Sequence, residues 1–333
     1  MEMNVDFTNK TVLVTGATGL ICSHLVPFLL EHGAHVIAIG RSIDKLKKTF
    51  AACNERLTLV EWNVTEPFSF LHEHVDYIFH AAGIISGKAI KEHPVSVIRT
   101  NLMGLVHCAD ILRQQKAKDH QAGKLIVFSS VTVYGNTSTD DITITEQDTA
   151  QSVPLDTPNS SYVESKRMSE VMAQAWWQEE GLPCIIVRFS YVYGPTINVP
   201  KTAFYEFVQD ILANKDITMH NSSLPRRDNI YVDDAVNGLV TAALNGTNGE
   251  AYNISSNGEL DNFAAIDEMA QSLVEIQNQT HAAKVALYYK NGSSRKRMPG
   301  ICVNNDKLKQ LGWQVQIGLR SGCQRTLNFY RGQ

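Results

Sequence analysis

The 333-residue chain has no surplus of one charge: 30 Lys and Arg stand against 34 Asp and Glu, a formal net charge of −4. That balance gives no basic field to hold nucleic acid, so no nucleic-acid partner is expected. Charged residues are only 19% of the chain, which argues against long disordered stretches or a coiled coil. No apolar run approaches the ~18 residues of a membrane span, and no membrane association is expected. The start, Met1-Glu2-Met3-Asn4-Val5-Asp6, lacks the basic and apolar segments of a signal peptide. The six cysteines (Cys22, Cys53, Cys108, Cys184, Cys302 and Cys323) form no C-x-x-C. They read as reduced thiols of a cytoplasmic protein, without a disulfide framework or zinc site. Internal repeats and low-complexity tracts are also lacking. What the chain does have is 44% hydrophobic residues, enough for a sizeable core. At about 150 residues per domain, its length suits two domains or one large α/β unit.

The first half alternates strand and helix signals. Short apolar runs at Thr11–Thr15, His35–Ile39, Leu57–Val60, Tyr77–Ala81, Leu125–Phe128 and Cys184–Val187 read as strands. Helical periodicity fills Leu20–His32, Val95–Gln115 and Tyr162–Glu180. Near-continuous apolar strands separated by helices predict a parallel sheet covered on both faces, that is, a doubly wound Rossmann fold. The rhythm changes after Arg188, where Pro195, Pro200 and Pro225 punctuate a less regular mixture. The polar stretch Gly135–Pro158 reads as a long functional or mobile loop.

Strand one runs into Thr15-Gly16-Ala17-Thr18-Gly19-Leu20-Ile21-Cys22. Glycines in a strand-to-helix turn let the backbone approach a pyrophosphate. The helix that follows presents free N–H groups to the phosphates. Gly16, Thr18, Gly19, Leu20 and Ile21 are therefore candidate contacts to a dinucleotide. Strand two ends in Gly40-Arg41-Ser42, without the acidic residue that would hold the ribose hydroxyls of NAD. Arg41 could grip a 2′-phosphate, favouring NADP, or stack on adenine with no phosphate present. The cofactor is accordingly expected to be NAD or NADP.

Strand five ends in Ser129-Ser130-Val131-Thr132-Val133-Tyr134-Gly135, and Tyr162 and Lys166 lie four residues apart on the helix beyond. A tyrosine titrates near ~10, so acid/base work at neutral pH needs about 4 kcal/mol of help. A nearby ammonium and a positive nicotinamide ring both favour the phenolate. Ser130 is placed to hydrogen-bond both the tyrosine and a reacting oxygen.

In this order, these motifs resemble the extended short-chain dehydrogenase/reductase family, the nucleotide-sugar epimerases and dehydratases. The resemblance covers nearly the whole chain. Beyond the glycine turn and Ser130, Tyr162 and Lys166, it includes His80-Ala81-Ala82, Asn101-Leu102-Met103-Gly104, Val133-Tyr134-Gly135 and Arg188…Val192-Tyr193-Gly194-Pro195. It continues through Arg227-Asp228-Asn229-Ile230-Tyr231-Val232-Asp233-Asp234, Tyr252-Asn253-Ile254 and Leu311-Gly312-Trp313. The resemblance implies a catalytic Ser130, Tyr162 and Lys166, with Tyr162 acting on the sugar C4 oxygen and Lys166 also holding the nicotinamide ribose. It implies further cofactor contacts from Asn63, Val64, Ala81, Ala82, Gly83 and Asn101. Thr132, Tyr191 and Arg227 are the implied substrate residues, Arg227 at the diphosphate; Arg226 is either a second contact or solvated. The implied domains are a dinucleotide-binding unit over 1–188, with 229–257 returning to it, and a smaller nucleotide-sugar-binding unit over 189–228 and 258–333. A homodimer through a four-helix bundle is also implied, with one of Trp176 and Trp177 at or near the interface.

The chain departs from that pattern in places. Cys22 stands where a third glycine is usual, and reads as a buried, inert thiol. Val131 and Thr132 stand where related 4,6-dehydratases carry Asp-Glu, and neither can perform elimination. Tyr191 replaces a usual asparagine, Asn63 an aspartate that contacts adenine, and Glu146 is a further carboxylate near the expected site or a solvated loop charge. His72-Glu73-His74 has no third ligand in the sequence, so no metal site is expected. Two activities remain open: 4-epimerisation of a nucleotide-diphosphate hexose, as in the UDP-glucose 4-epimerases, or NADPH-dependent reduction of a 4-keto sugar. A 4,6-dehydratase or a non-catalytic cofactor-binding scaffold fits the residues less well.

Overall fold

The computed structural model describes residues 5–51, 55–69, 71, 73–135, 141–148, 153–220, 223–290 and 296–332. In chain order, the first part comprises β1 (Thr11–Thr15), α1 (Leu20–Glu31), β2 (His35–Gly40), α2 (Ile43–Thr49), β3 (Leu57–Glu61) and β4 (Tyr77–His80). There follow α3 (Gly87–Glu92), α4 (Pro94–Asp119), β5 (Lys124–Ser130), β6 (Ile142–Ile144), α5 (Ser160–Ala175) and β7 (Cys184–Phe189). The remainder adds β8 (Tyr191–Tyr193), α6 (Ala203–Leu212), β9 (Ile217–Met219), β10 (Ser223–Tyr231), α7 (Val232–Asn245) and β11 (Ala251–Ile254). It ends with β12 (Phe263–Ala264), α8 (Ile266–Thr280), β13 (Leu287–Tyr289), β14 (Lys296–Val303), α9 (Asp306–Lys309) and α10 (Leu319–Arg331).

Seven parallel strands form the main sheet in the order β11-β7-β5-β4-β1-β2-β3. Side chains alternate between its two faces. Val12, Val14, Ala38, Ile126 and Val187 enter one core, while Leu13, Ile37, Ile39, Leu125 and Ile186 enter another. Helices α1 and α7 pack together over the first face, and α4 packs with α5 over the second. Full burial of each such Val, Leu or Ile contributes about 1.5–3 kcal/mol, against about 0–1 for a surface ion pair, so these cores hold the layers. A second sheet, β12-β10-β14-β6 with β8 against β10, and the pair β13-β9 lie with α6, α8 and α10.

Local chemistry sets the helix ends. Pro94 opens α4, where its missing N–H is not needed. His120 closes it in the left-handed region, at φ 57°. Ser42 caps α2, its hydroxyl accepting the Lys45 N–H at 3.3 Å.

Three expectations need correction. Helix α4 is long and apolar enough to cross a membrane by length and composition, and half of its most apolar window is buried. Arg99, Asn101, His107 and Asp110 interrupt the helix, so no continuous apolar run marks its length. Second, the stretch read as a loop over 135–158 contains β6, which pairs with Ile301–Val303 of β14; residues 136–140 and 149–152 lie outside the described set. Third, the helix predicted to run to Glu180 is α-helical only to Ala175 and continues as a wider π turn over Trp176–Glu180.

Candidate active site

Strand order reverses between β1 and β4, and α/β proteins open a ligand crevice at such a switch point. Gly16 sits there with φ +66°. A Cβ on it would lie 2.9 Å from both Cα and N of Ala82. Only glycine allows the β1 turn to approach the exit of β4 that closely. Gly19 N–H returns to Gly16 O at 3.0 Å, and Gly19 is the residue before α1. The carbonyl of Thr18 accepts from Asn198 Nδ2 at 3.2 Å, tying the turn to the chain after β8. Leu20 and Ile21 are half-buried in the first turn of α1. Cys22 is buried in the core and burial pushes its thiol up to about 12, in keeping with an inert packing residue.

Beneath this crevice, Thr15 Oγ1 accepts the Ala82 N–H at 3.1 Å and contacts His80 Nδ1 at 3.0 Å. Burial, then the charge of Lys166, hold His80 down to about 3. Its imidazole is neutral at physiological pH, and Nε2 has no hydrogen-bond partner among the described residues. Val64 is buried, and its carbonyl meets His107 Nδ1 at 2.9 Å. Asn101, also buried, uses both ends of its amide: Oδ1 accepts from Ile84 N at 3.2 Å, and Nδ2 donates to Ser165 Oγ at 2.8 Å. It thereby ties the loop after β4, including Ala81, Ala82 and Gly83, to α5. A Cβ on Gly83 would lie 3.6 Å from Lys166 Nζ, so loop and lysine adjoin.

Lys166 is 8% exposed and donates to Phe128 O at 2.6 Å. Burial pulls its ammonium down to about 8, and Glu170 opposes that shift. Ser130, the last residue of β5, accepts from Thr132 N at 3.2 Å and Thr132 Oγ1 at 3.0 Å. Its hydroxyl bonds the Tyr162 phenol. Thr132 therefore turns its hydroxyl to the serine. Burial raises the phenol of Tyr162, while the Ser130 bond lowers it and nearby Tyr191 raises it further. The Lys166 ammonium, expected to favour the phenolate, hydrogen-bonds the Phe128 carbonyl.

Tyr191 lies on β8 in register with Asn229 of β10, two residues from Arg227. The Arg227 guanidinium lies 4.6 Å above the Tyr191 ring, a cation–π stack. Ser130, Tyr162, Tyr191 and Arg227 thus form one line from β5 across α5 to β10. Among the described residues Arg227 forms no ion pair with its acidic neighbours. Asp228 is buried against Ser256 and Val303 N, and Asp233 faces His24 and Arg325. Arg226 is not solvated: it faces Glu268 at 3.7 Å and lies 4.4 Å over Phe263.

Glu146 is not a solvated loop charge. Its Oε1 accepts the Asn253 N–H at 2.8 Å, so it is a structural clamp. Asn253 in turn accepts from Tyr134 OH at 2.8 Å. Arg188 donates to the same phenol at 2.8 Å and to Glu170 at 2.7 and 3.0 Å. Glu170 also takes the Ser129 hydroxyl. This network pins α5 to β5 and β7; sequence inspection missed Glu170, whose one signal was its place four residues beyond Lys166. Arg41 and Asn63 line a cleft at the ends of β2 and β3. Among the described residues no metal-ligand cluster occurs; His72 is outside them, and His74 faces Asp119 at 3.7 Å.

A glycine turn at the switch point of a doubly wound sheet, with a serine–tyrosine–lysine set beyond it, defines a dinucleotide-binding oxidoreductase-type fold. The chain belongs to the NAD dependent epimerase/dehydratase family, whose family model matches residues 12–255, and so to the extended short-chain dehydrogenase/reductases. It is 26% identical to dTDP-D-glucose 4,6-dehydratase of Mus musculus, over 97% of this chain and 89% of the relative. It is 27% identical to UDP-glucuronic acid decarboxylase 6 of Arabidopsis thaliana, over 95% of this chain and 87% of the relative. Among solved structures, UDP-glucose 4-epimerase of Thermotoga maritima with UDP-glucose superposes with a TM-score of 0.76 at 22% identity, covering 97% of this chain and 99% of the other. An epimerase of Methanothermobacter thermautotrophicus gives 0.81 at 22% identity, covering 98% and 93%. At these identities the structural likeness is one of fold.

Proposed function

We propose that the protein is an NAD(P)-dependent enzyme acting at C4 of a nucleotide-diphosphate hexose, as a 4-epimerase. The observation that carries this reading is the Ser130–Tyr162 pair with Thr132, and no carboxylate, behind it. Tyr162 takes the proton of the C4 hydroxyl and returns it. Ser130 holds the C4 oxygen and favours the phenolate. Lys166, charged below about 8, holds the ribose next to it. The nicotinamide, when bound, supplies the hydride acceptor and a positive charge that favours the phenolate. Gly16, Gly19 and the first turn of α1 fit such a dinucleotide, because the turn carries no Cβ at its glycines and α1 has no side-chain cap, which leaves its first N–H groups to the phosphates. Arg227, stacked on Tyr191, presents its donor fork to a diphosphate.

Dehydratase and decarboxylase relatives carry out further steps at the sugar. Val131 and Thr132 supply no acid or base for an elimination, which supports chemistry confined to C4. Reduction of a 4-keto sugar is favoured by one residue, Arg41, if it meets a 2′-phosphate. A homodimer through α4 and α5 is supported by their exposed Val95, Ile98, Met103, Met168 and Val171. Trp177, 36% exposed, packs against Gly249 at the edge of this region. The test is incubation of the purified protein with UDP- and dTDP-hexoses and chromatographic separation of products. The 4-epimer is expected; a dehydrated sugar as sole product contradicts the reading.

A further inference from the structure

The cleft at the ends of β2 and β3 contains a carboxylate that sequence order concealed. In doubly wound dinucleotide-binding folds, an acidic residue about 20 positions beyond the glycine turn, at the end of strand two, holds the adenosine ribose hydroxyls. Here that strand ends in Gly40, which has no side chain to offer. Its register partner on the neighbouring strand is Glu61, and Trp62 N–H donates to Gly40 O at 2.9 Å. Paired positions of parallel strands project to the same face. Glu61 Oε2 accordingly reaches across and accepts the Ile43 N–H at 2.6 Å, at the start of α2. That bond fixes the carboxylate beside the end of β2. Its other oxygen has no partner among the described residues.

Arg41, Glu61, Trp62, Asn63 and Glu66 together line a cleft of about 440 Å³. Among the described residues neither Arg41 nor Glu61 has an ion-pair partner, so the guanidinium does not neutralise the carboxylate. One positive and two negative side chains leave the lining net negative. A ribose diol can donate hydrogen bonds to such a carboxylate. A 2′-phosphate, itself anionic, meets repulsion from Glu61 and Glu66 and has only Arg41 to offset it.

We propose that Glu61 supplies, from the third strand, the carboxylate that binds the adenosine ribose hydroxyls, so that the cleft selects NAD over NADP. Arg41 then lies along the adenine instead of gripping a phosphate. The inference rests on reading the chain as a nicotinamide-dinucleotide enzyme, and binding measurements separate the two. Protein freed of bound nucleotide is titrated calorimetrically with NAD+ and with NADP+, as wild type, Glu61→Gln and Arg41→Ala. Glu61→Gln keeps an oxygen for the Ile43 N–H and removes the charge. The wild type is expected to bind NAD+ at least about tenfold more tightly, and Glu61→Gln to shrink the ratio by about tenfold. Arg41→Ala is expected to keep the preference for NAD+. Tighter NADP+ binding by the wild type, or an unchanged ratio in a folded Glu61→Gln, overturns the proposal while leaving the dinucleotide reading intact. Binding of neither dinucleotide overturns both.

Discussion

Replacing Tyr162 with Phe separates chemistry from packing more cleanly than any other single change at this site. The ring stays and the hydroxyl goes. Structurally, the loss is one hydrogen bond with Ser130, whose oxygen still accepts from Thr132 N and Oγ1. A net hydrogen bond is worth about 1 kcal/mol, so the melting temperature should fall by no more than about 2–4 °C. Catalytically, the loss is the group that moves the C4 proton. Positioned acid/base catalysis contributes about 10²–10⁴-fold, or about 2.7–5.5 kcal/mol of barrier. Ser130 and Thr132 carry only aliphatic hydroxyls, far weaker acids than a phenol, so neither can replace it as a base near neutrality. The assay is kcat at saturating nucleotide sugar, alongside thermal unfolding. A kcat within a few-fold of wild type, in a variant of unchanged stability, refutes the assignment.

Other consequences follow from the same geometry. Gly16→Ala forces a Cβ to 2.9 Å from the Ala82 backbone at φ +66°. The left-handed conformation alone costs about 1–2 kcal/mol, so weaker dinucleotide binding and a lower melting temperature are expected. Arg227→Ala should raise KM for the nucleotide sugar by about 10–100-fold with a smaller change in kcat, because it removes charge-assisted bonds made throughout the cycle; an unchanged KM contradicts its role at the diphosphate. His80 is held from 6.5 down to about 3, so the unfolded chain binds more protons between those values. Stability is then fully present above 6.5 and is lost as pH falls toward about 3, by up to ~5 kcal/mol. His80→Gln should flatten that part of the acid unfolding curve, and an unaltered curve shows that other groups set it.

The main sheet was legible because β1, β2, β4, β5 and β7 are buried on both faces and read as continuous apolar runs. Short elements were not. Helix α2 offers little apolar periodicity over seven residues, its one buried side chain being Leu46, and β6 is three residues in a polar stretch, held by pairing with β14. The serine, tyrosine and lysine were legible because their spacing is local or follows a recognisable strand end. Glu146 was not, since its partner Asn253 is 107 residues further along the chain. Glu61 escaped notice for the same reason: its position beside Gly40 is a property of strand register, which sequence order does not display.

The central claim is oxidation and re-reduction at C4 by one retained dinucleotide, with Tyr162 moving the proton. A nucleotide hexose carrying deuterium at C4 tests it most directly, with mass spectrometric analysis of the product. The account predicts the 4-epimer with deuterium still at C4, because the hydride returns to the carbon from which it left. Loss of the label to solvent, or a product that has lost water, contradicts it.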